Sequence, residues 1–369
     1  MRGRSRRTFA PRRPARVSAI SFYGHSFGRA TVTQTRMLYQ RRVAEQLGAA
    51  HRDFHVSGSD MLDVGAAAGG FVTQMQLDEP LGRAYGAQSY PPRPGTAVWM
   101  TGINGVQAYA TDADWAQLKA AFVHNYRAVT SWQQLSGYWH HDEASTGQAF
   151  AGSGWATSNF IVGLEGGPGS NFRNTASSGA TWTITTSTTM AGKAASLFFL
   201  TNRTGGAIPA SSISITLDGQ AHSTLDTRNV NPASTLISGI AVARVALPDD
   251  GAQHTIVATS GTGGMALVGW GVESPRLFIV ANVARRSDGG YTPNGSDAKV
   301  TELNTAIAGV VAEFGAPVYV ANIDGVLGAA AENFADGLHP NDKGHELMAR
   351  EVLRIIDNAS LTAQQRGLL

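Results

Sequence analysis

The sequence contains no cysteine. That absence excludes thiol nucleophiles, cysteine-ligated zinc, iron–sulfur clusters and disulfide scaffolds. Covalent chemistry is left to Ser, Thr, Lys, Tyr or a carboxylate. No apolar run reaches the roughly 18 residues a membrane-spanning helix needs, so no membrane span is expected. Charged residues are sparse, at 15% of 369, while 43% are hydrophobic, which predicts a globular chain with a sizeable core. That length favours two domains, or one domain with a large insertion.

The net charge of +2 hides an asymmetry. Residues 1–16 carry seven arginines (Arg2, Arg4, Arg6, Arg7, Arg12, Arg13, Arg16) and no acid. The remainder therefore holds 22 basic against 27 acidic residues, a net of −5. Such an arm is either a solvated leader or a contact for nucleic acid or an acidic partner surface, including attachment to a larger assembly. No apolar stretch of 7–15 residues follows it, so a secretory signal is not expected. The body gives no sequence-level case for nucleic acid as a partner.

Beyond the arm, Val17–Ile20 opens an apolar run that ends in Gly24-His25-Ser26. A helix is expected over 33–48, with Met37, Leu38, Val43, Ala44 and Leu47 on one face and Gly48 as its stop. Strands follow near 53–57 and over 96–101, then a helix from Asp112 or Asp114 to Gln134. This alternation is the order of a parallel sheet covered by helices on both faces. From 138 to 274 the helical period vanishes. Thr181–Thr185 and Ser212–Leu217 alternate with period two, and 195–200, 240–247, 254–259 and 265–272 are further β-rich runs. Asp218-Gly219, Asp250-Gly251 and Gly205-Gly206 supply turns between them. Such texture predicts an all-β sandwich or jelly roll. The α/β pattern resumes with a strand over 276–281, a helix over 297–314, a strand over 317–323 and a helix over 343–357. The predicted organisation is therefore a basic arm (1–16) and an α/β domain (17–136 and 275–369) interrupted by a β insertion (137–274).

Ligands bind at the carboxyl ends of the strands in open α/β sheets, and Ser26 stands at such an end. Asp336-Gly337-Leu338-His339-Pro340-Asn341 follows the last strand and precedes the last helix, at the same edge. A serine needs a base for its proton, and a histidine needs a carboxylate to hold its tautomer. His339 and Asp336 can supply both. Two further segments follow strands, Val56-Ser57-Gly58-Ser59 and Gly102-Ile103-Asn104-Gly105. A glycine N–H and an asparagine amide are suitable donors to a tetrahedral oxyanion. Gly65, Gly69 and Gly70 are alternatives to Gly58.

These four blocks, in this order, resemble the SGNH hydrolases, the GDSL lipase/esterase family. The resemblance covers about 17–136 and 275–369, and Asp336–Asn341 is its most specific element. It implies a three-layer, flavodoxin-like α/β hydrolase domain with Ser26 as nucleophile, His339 as general base and Asp336 orienting it. The N–H groups of Ser26 and Gly58 and the amide of Asn104 would form the oxyanion hole, with no metal and no cofactor. His25 and Gly105 stand where the family carries aspartates, departures expected to alter rate or pH profile rather than abolish chemistry. The family includes phage tail and virion-associated esterases with β-rich inserts, which this architecture resembles. The implied partner is an ester substrate, an O-acetylated cell-surface glycan in particular. The alternative is an inactive α/β scaffold whose β domain holds a glycan.

Other motifs carry less. His345-Glu346-Leu347-Met348-Ala349 starts like the zinc pattern His-Glu-x-x-His, but Ala349 replaces the second ligand. His140-His141-Asp142-Glu143 would alternate sides in an extended segment. Asn202-Arg203-Thr204 fits the glycosylation pattern only formally. Trp155, Trp182 and Trp270 either stack on sugar rings or fill a sandwich core.

Overall fold

The structure, a computed structural model, describes residues 17–28, 37–55, 96–109, 112, 115–140, 147–159, 171–201, 210–227, 240–291 and 294–365. The arginine arm, Gly58 with its alternatives Gly65, Gly69 and Gly70, His141–Glu143 and Asn202–Thr204 lie outside the described residues.

The chain begins with β1 (Ala19–Gly24), α1 (Tyr39–Leu47), β2 (Ala50–His55), β3 (Thr96–Met100), α2 (Ile103–Tyr109) and α3 (Trp115–Gln134). Among the described residues the chain then makes the strands β4 (Leu135–His140), β5 (Gln148–Ala151), β6 (Ala156–Asn159), β7 (Asn171–Thr175), β8 (Thr181–Thr185), β9 (Ala194–Leu200), β10 (Ser212–Leu217), β11 (Gln220–Asp226), β12 (Ile240–Ala246), β13 (Thr255–Ser260) and β14 (Met265–Glu273). It closes with β15 (Leu277–Ala281), α4 (Asp297–Phe314), β16 (Val318–Ala321), α5 (Ile323–Leu327) and α6 (Asp342–Gln365).

Strands β2-β1-β3-β15-β16 form one parallel sheet in that order. The chain winds outward in one direction from β1 to β2 and in the other from β3 to β16, so the crevice at the switch lies between the carboxyl ends of β1 and β3. Ile20, Phe22 and Tyr23 of β1 and Val98 and Trp99 of β3 have no solvent exposure. Both faces of these strands are covered, which is why they read as continuous apolar runs. On α4, Val300, Leu303, Ile307, Val310 and Val311 are all buried, as their spacing predicts. On α6 the buried stripe is Met348, Ala349, Val352, Ile355 and Ile356, with Leu347 and Leu353 only half-buried.

Element ends differ from the sequence reading for local reasons. Strand β2 starts at Ala50 rather than 53, because the Ala50 N–H bonds the Ser18 carbonyl directly after α1 is closed by Gly48. Strand β16 stops at Ala321, because the Asn322 side chain accepts the Gly325 N–H and caps α5. Of the helix expected over 33–48, the described part is Tyr39–Leu47.

The intervening strands form two antiparallel sheets, β11-β10-β13-β8-β5 and β12-β9-β14-β7-β6, with β4 also pairing β14. Their facing side chains share one core, including Trp182, Ile184, Ile213, Ile215 and Ile256 from the first and Leu197, Phe199, Ala243, Leu267 and Trp270 from the second. The second sheet is also covered on its other face, where Phe198, Leu200, Ile240, Val242, Ala266 and Val268 join the core of the α/β body. Hence the first sheet alternates apolar and polar, while β9 and β14 are buried along nearly their whole length and are mostly apolar on both faces. A bulge between Leu267 and Gly269 shifts the phase of β14, so Trp270 and Val272 face the sandwich core with Leu267. Trp182 and Trp270 are core residues, 0% and 1% exposed, which removes them as sugar-stacking candidates; Trp155 is half-buried.

The insertion is rooted at the amino edge of the parallel sheet. Helix α3 returns from the carboxyl edge, and Gln134 at its end bonds Ser274 and Arg276, where β15 begins. A polar lock fixes the junction. The buried Glu273 carboxylate accepts from Ser131 of α3, Ser196 of β9 and the Arg244 guanidinium at 2.6–2.9 Å. Arg244 also donates to the Glu313 carbonyl and lies over the Phe314 ring. Arg244→Met should leave that carboxylate without its cation and destabilise the protein by about 3 kcal/mol, measured by urea unfolding.

Both Asp-Gly turns are held by one buried histidine. His254 Nδ1 donates to Asp218 at 2.8 Å and Nε2 donates to Asp250 at 3.1 Å. The Asp218 bond is the largest influence raising the imidazole pKa above 6.5; burial opposes it, and Asp250 adds to it. A raised folded-state pKa contributes stability below the unfolded value that is lost as pH rises through the folded one. Thermal unfolding should therefore show wild type exceeding His254→Gln most near about pH 6, with the gap closing at alkaline pH.

Candidate active site

Three strands of the parallel sheet end level. Gly24 of β1 is in register with His55 of β2 and with Met100 of β3. Beyond Gly24 the chain makes a single tight turn, Ser26–Gly28, in which the Gly28 N–H donates to the His25 carbonyl at 3.1 Å. The Phe27 N–H donates to His25 Nδ1 at 3.3 Å, so the ring accepts at Nδ1 and carries its proton on Nε2. His25 is buried, and burial, reinforced by nearby His55 and His339, lowers its pKa to about 3. The residue before Ser26 is therefore an uncharged acceptor.

The last loop folds over this turn. Phe334 and Pro340 form a β-bridge, and the Ala335 N–H donates to the His339 carbonyl at 2.8 Å, closing the segment between them. Gly337 sits at φ 82° against Asp288, a conformation and a space that admit no side chain. Asp336 Oδ1 accepts from the N–H groups of Leu338 and His339 at 3.0 and 2.7 Å, which leaves Oδ2 to accept from His339 Nδ1 at 2.7 Å. Burial acts to raise the Asp336 pKa, but these hydrogen bonds outweigh it and lower the value. A carboxylate on Nδ1 fixes the tautomer and leaves Nε2 as acceptor. That nitrogen stands 3.0 Å from Ser26 Oγ, across 313 residues of sequence. Ser26 is 6% exposed, and the His339 side chain 20%.

Asn104 is half-buried in the first turn of α2, four residues beyond Met100, whose strand end is in register with Gly24. Gly105 is buried in the same turn of helix. Ser26, Asp336 and His339 thus meet, and Asn104 shares their edge of the sheet. Among the described residues no group of three or more His, Asp or Glu side chains could hold a metal. His345 is a core residue: burial, then the charge of Arg42, lowers its pKa to about 4, and Nδ1 accepts the Tyr39 N–H.

Several supporting residues have no role in the sequence reading. Asn341 donates to the Glu332 and Phe334 carbonyls and accepts the Gly344 N–H, tying the His339 loop to α6. His55 lies beneath the Ser26 turn, where a Cβ on Gly28 would stand 2.0 Å from its ring. The signal for that contact is the pair of glycines, Gly24 and Gly28, placed symmetrically about Ser26.

No family model matches this sequence, and no curated protein matches it. Several solved structures resemble parts of it. A family 35 carbohydrate binding module from an environmental isolate aligns at 20% identity and a TM-score of 0.27, over 37% of this chain and 93% of the module. One from Clostridium thermocellum aligns at 12% identity and 0.28, over 37% and 98%. A protein from Lactobacillus plantarum aligns at 10% identity and 0.41, over 93% of this chain and 98% of its own.

The His25 environment is directly measurable. In a histidine NMR titration its ring resonances should stay flat between about pH 5 and 8, the range an unperturbed imidazole would cross, and a midpoint inside it would contradict the burial of the ring.

Proposed function

We propose that this chain is a serine ester hydrolase of the SGNH type, acting through an acyl-enzyme on O-acylated, in particular O-acetylated, glycans. The observation that carries the reading is the unbroken chain Ser26 Oγ–His339 Nε2, 3.0 Å, and His339 Nδ1–Asp336 Oδ2, 2.7 Å, at the switch point of the parallel sheet. Ser26 Oγ attacks the ester carbonyl as its proton passes to His339 Nε2. The tetrahedral oxyanion is held by the backbone N–H of Ser26 and by the Asn104 amide. Collapse expels the alcohol, which takes the proton from His339. Water then gives a proton to the same nitrogen and attacks the acyl-serine, releasing the acid and restoring Ser26. Asp336 stays ionised throughout and stabilises the imidazolium.

A second reading has one observation in its favour. Phe150 and Trp155 on the insertion are half-buried, their ring centroids 5.0 Å apart, with the Arg173 guanidinium 4.0 Å over Phe150. Aromatic faces beside a cation suit a sugar ring, so the insertion would hold glycan above a silent α/β body.

Hydrolysis of p-nitrophenyl acetate and of an O-acetylated glycan by wild type and Ser26→Ala separates the two. The esterase reading expects Ser26→Ala to lose on the order of 10⁶ in kcat, and Asn104→Ala about 10²–10³. Asp336→Asn should lose about 10⁴, through the wrong tautomer. Equal rates for wild type and Ser26→Ala overturn it, and glycan binding without cleavage supports the second reading.

A further inference from the structure

Beneath the Ser26 turn lies a second hydroxyl–histidine–carboxylate chain that the proposed reaction does not use. His55 Nδ1 donates to Asp53 Oδ1 at 2.5 Å, and His55 Nε2 lies 3.1 Å from the Tyr39 hydroxyl. His55 and Tyr39 have no solvent exposure, so no substrate reaches them. The carboxylate places the proton on Nδ1, which leaves Nε2 to accept from Tyr39. Burial and the facing Asp53 push the Tyr39 pKa well above 10, so its hydroxyl keeps the proton it donates. For Asp53, burial acts upward, but the hydrogen bonds from His55 and from Gln40 prevail and bring it to about 2.

This inner chain touches both halves of the outer one. The His55 ring fills the space under Gly24 and Gly28, the two residues bracketing the Ser26 turn. Gln40 Nε2, held by Asp53 Oδ2 at 2.8 Å, donates to the Gly28 carbonyl at 2.5 Å and so pins the turn's far end. On the other side, the Tyr39 N–H donates to His345 Nδ1 at 3.3 Å, and their rings lie nearly parallel, 3° apart. His345 belongs to the first turn of α6, and its N–H donates to the Asn341 carbonyl, two residues after His339. Tyr39 is thus attached to the support of Ser26 by its hydroxyl and to the support of His339 by its backbone and ring.

We propose that Asp53, His55, Tyr39 and Gln40 are positioning residues that set the Ser26–His339 distance, an inference that rests on the esterase reading for its consequence in turnover. Displacement of a reacting group by about 1 Å can cost on the order of 10² in rate. The chain therefore acts on kcat and leaves substrate affinity alone.

The test uses Tyr39→Phe, which removes one oxygen and keeps the ring on His345, and Gln40→Leu, which removes the donor to Gly28. His55→Leu is the direct variant but carries the risk of misfolding. Each is measured for kcat and KM on p-nitrophenyl acetate, for thermal unfolding, and for backbone hydrogen exchange. The expected result is a drop in kcat of about tenfold for Tyr39→Phe and up to about 10² for Gln40→Leu, with KM unchanged. Exchange should rise at Phe27 and Gly28 and stay unchanged in α4. Unaltered kcat and exchange in both variants overturn the inference, and so does an increase in exchange spread evenly through the α/β body. If wild type turns over no ester while Phe27 and Gly28 still respond, the positioning device stands and the esterase reading fails.

Discussion

The winding of the parallel sheet is the constraint on which the rest depends. Because β2 is added on one side of β1 and β3, β15 and β16 on the other, loops after β1 and β3 are carried apart above the sheet. The opening they leave is filled by the Phe334–Pro340 segment. Level strand ends at Gly24, His55 and Met100 then place the Ser26 turn, the underlying imidazole and the entry to α2 at one height. A shift of one residue in any of these registers would turn His55 or Ser26 to the other face of the sheet.

Electrostatics at this edge is governed by how deeply each group is buried. His25, His55 and His339 cluster about one serine, and three charged imidazoles there would repel one another. Burial keeps His25 neutral, so its ring serves as a hydrogen-bond acceptor for the turn. Only the least buried of the three, His339, faces the serine hydroxyl, with its carboxylate half-exposed behind it. A neutral histidine thus meets the Phe27 N–H without adding a charge beside Ser26.

The β insertion obeys a different rule. Its inner sheet is sandwiched between its own outer sheet and the α/β body, so it cannot be removed without uncovering Phe198, Leu200, Ile240 and Val242. A charged cluster in that interface, Glu273 with Arg244, is tolerated because the Glu273 carboxylate is bonded by hydroxyls and a guanidinium. Rooting at the amino edge leaves the carboxyl edge to the loops that carry Ser26, Asn104 and His339.

Much of this was legible from residue order. Apolar runs with no alternation marked the strands of the buried sheet, and period-two runs such as Thr181–Thr185 marked the sheet with a wet face. The 3.6-residue spacing of Val300, Leu303 and Ile307 placed α4 to the residue. Ser26, Asp336 and His339 could be nominated because each needs a partner of a definite type and all three stood after strands. The tertiary structure alone decided that Trp182 and Trp270 are core, since an aromatic in a β run looks the same facing a sheet or a sugar. It alone revealed Asp53, His55 and Tyr39 as a unit. These residues lie in a strand and a helix with no shared motif, and the β1–β2 pairing together with the packing of α1 brings them beneath Ser26. Local periodicity records which face of an element is dry, whereas the contacts between elements come from packing, which sequence spacing does not encode.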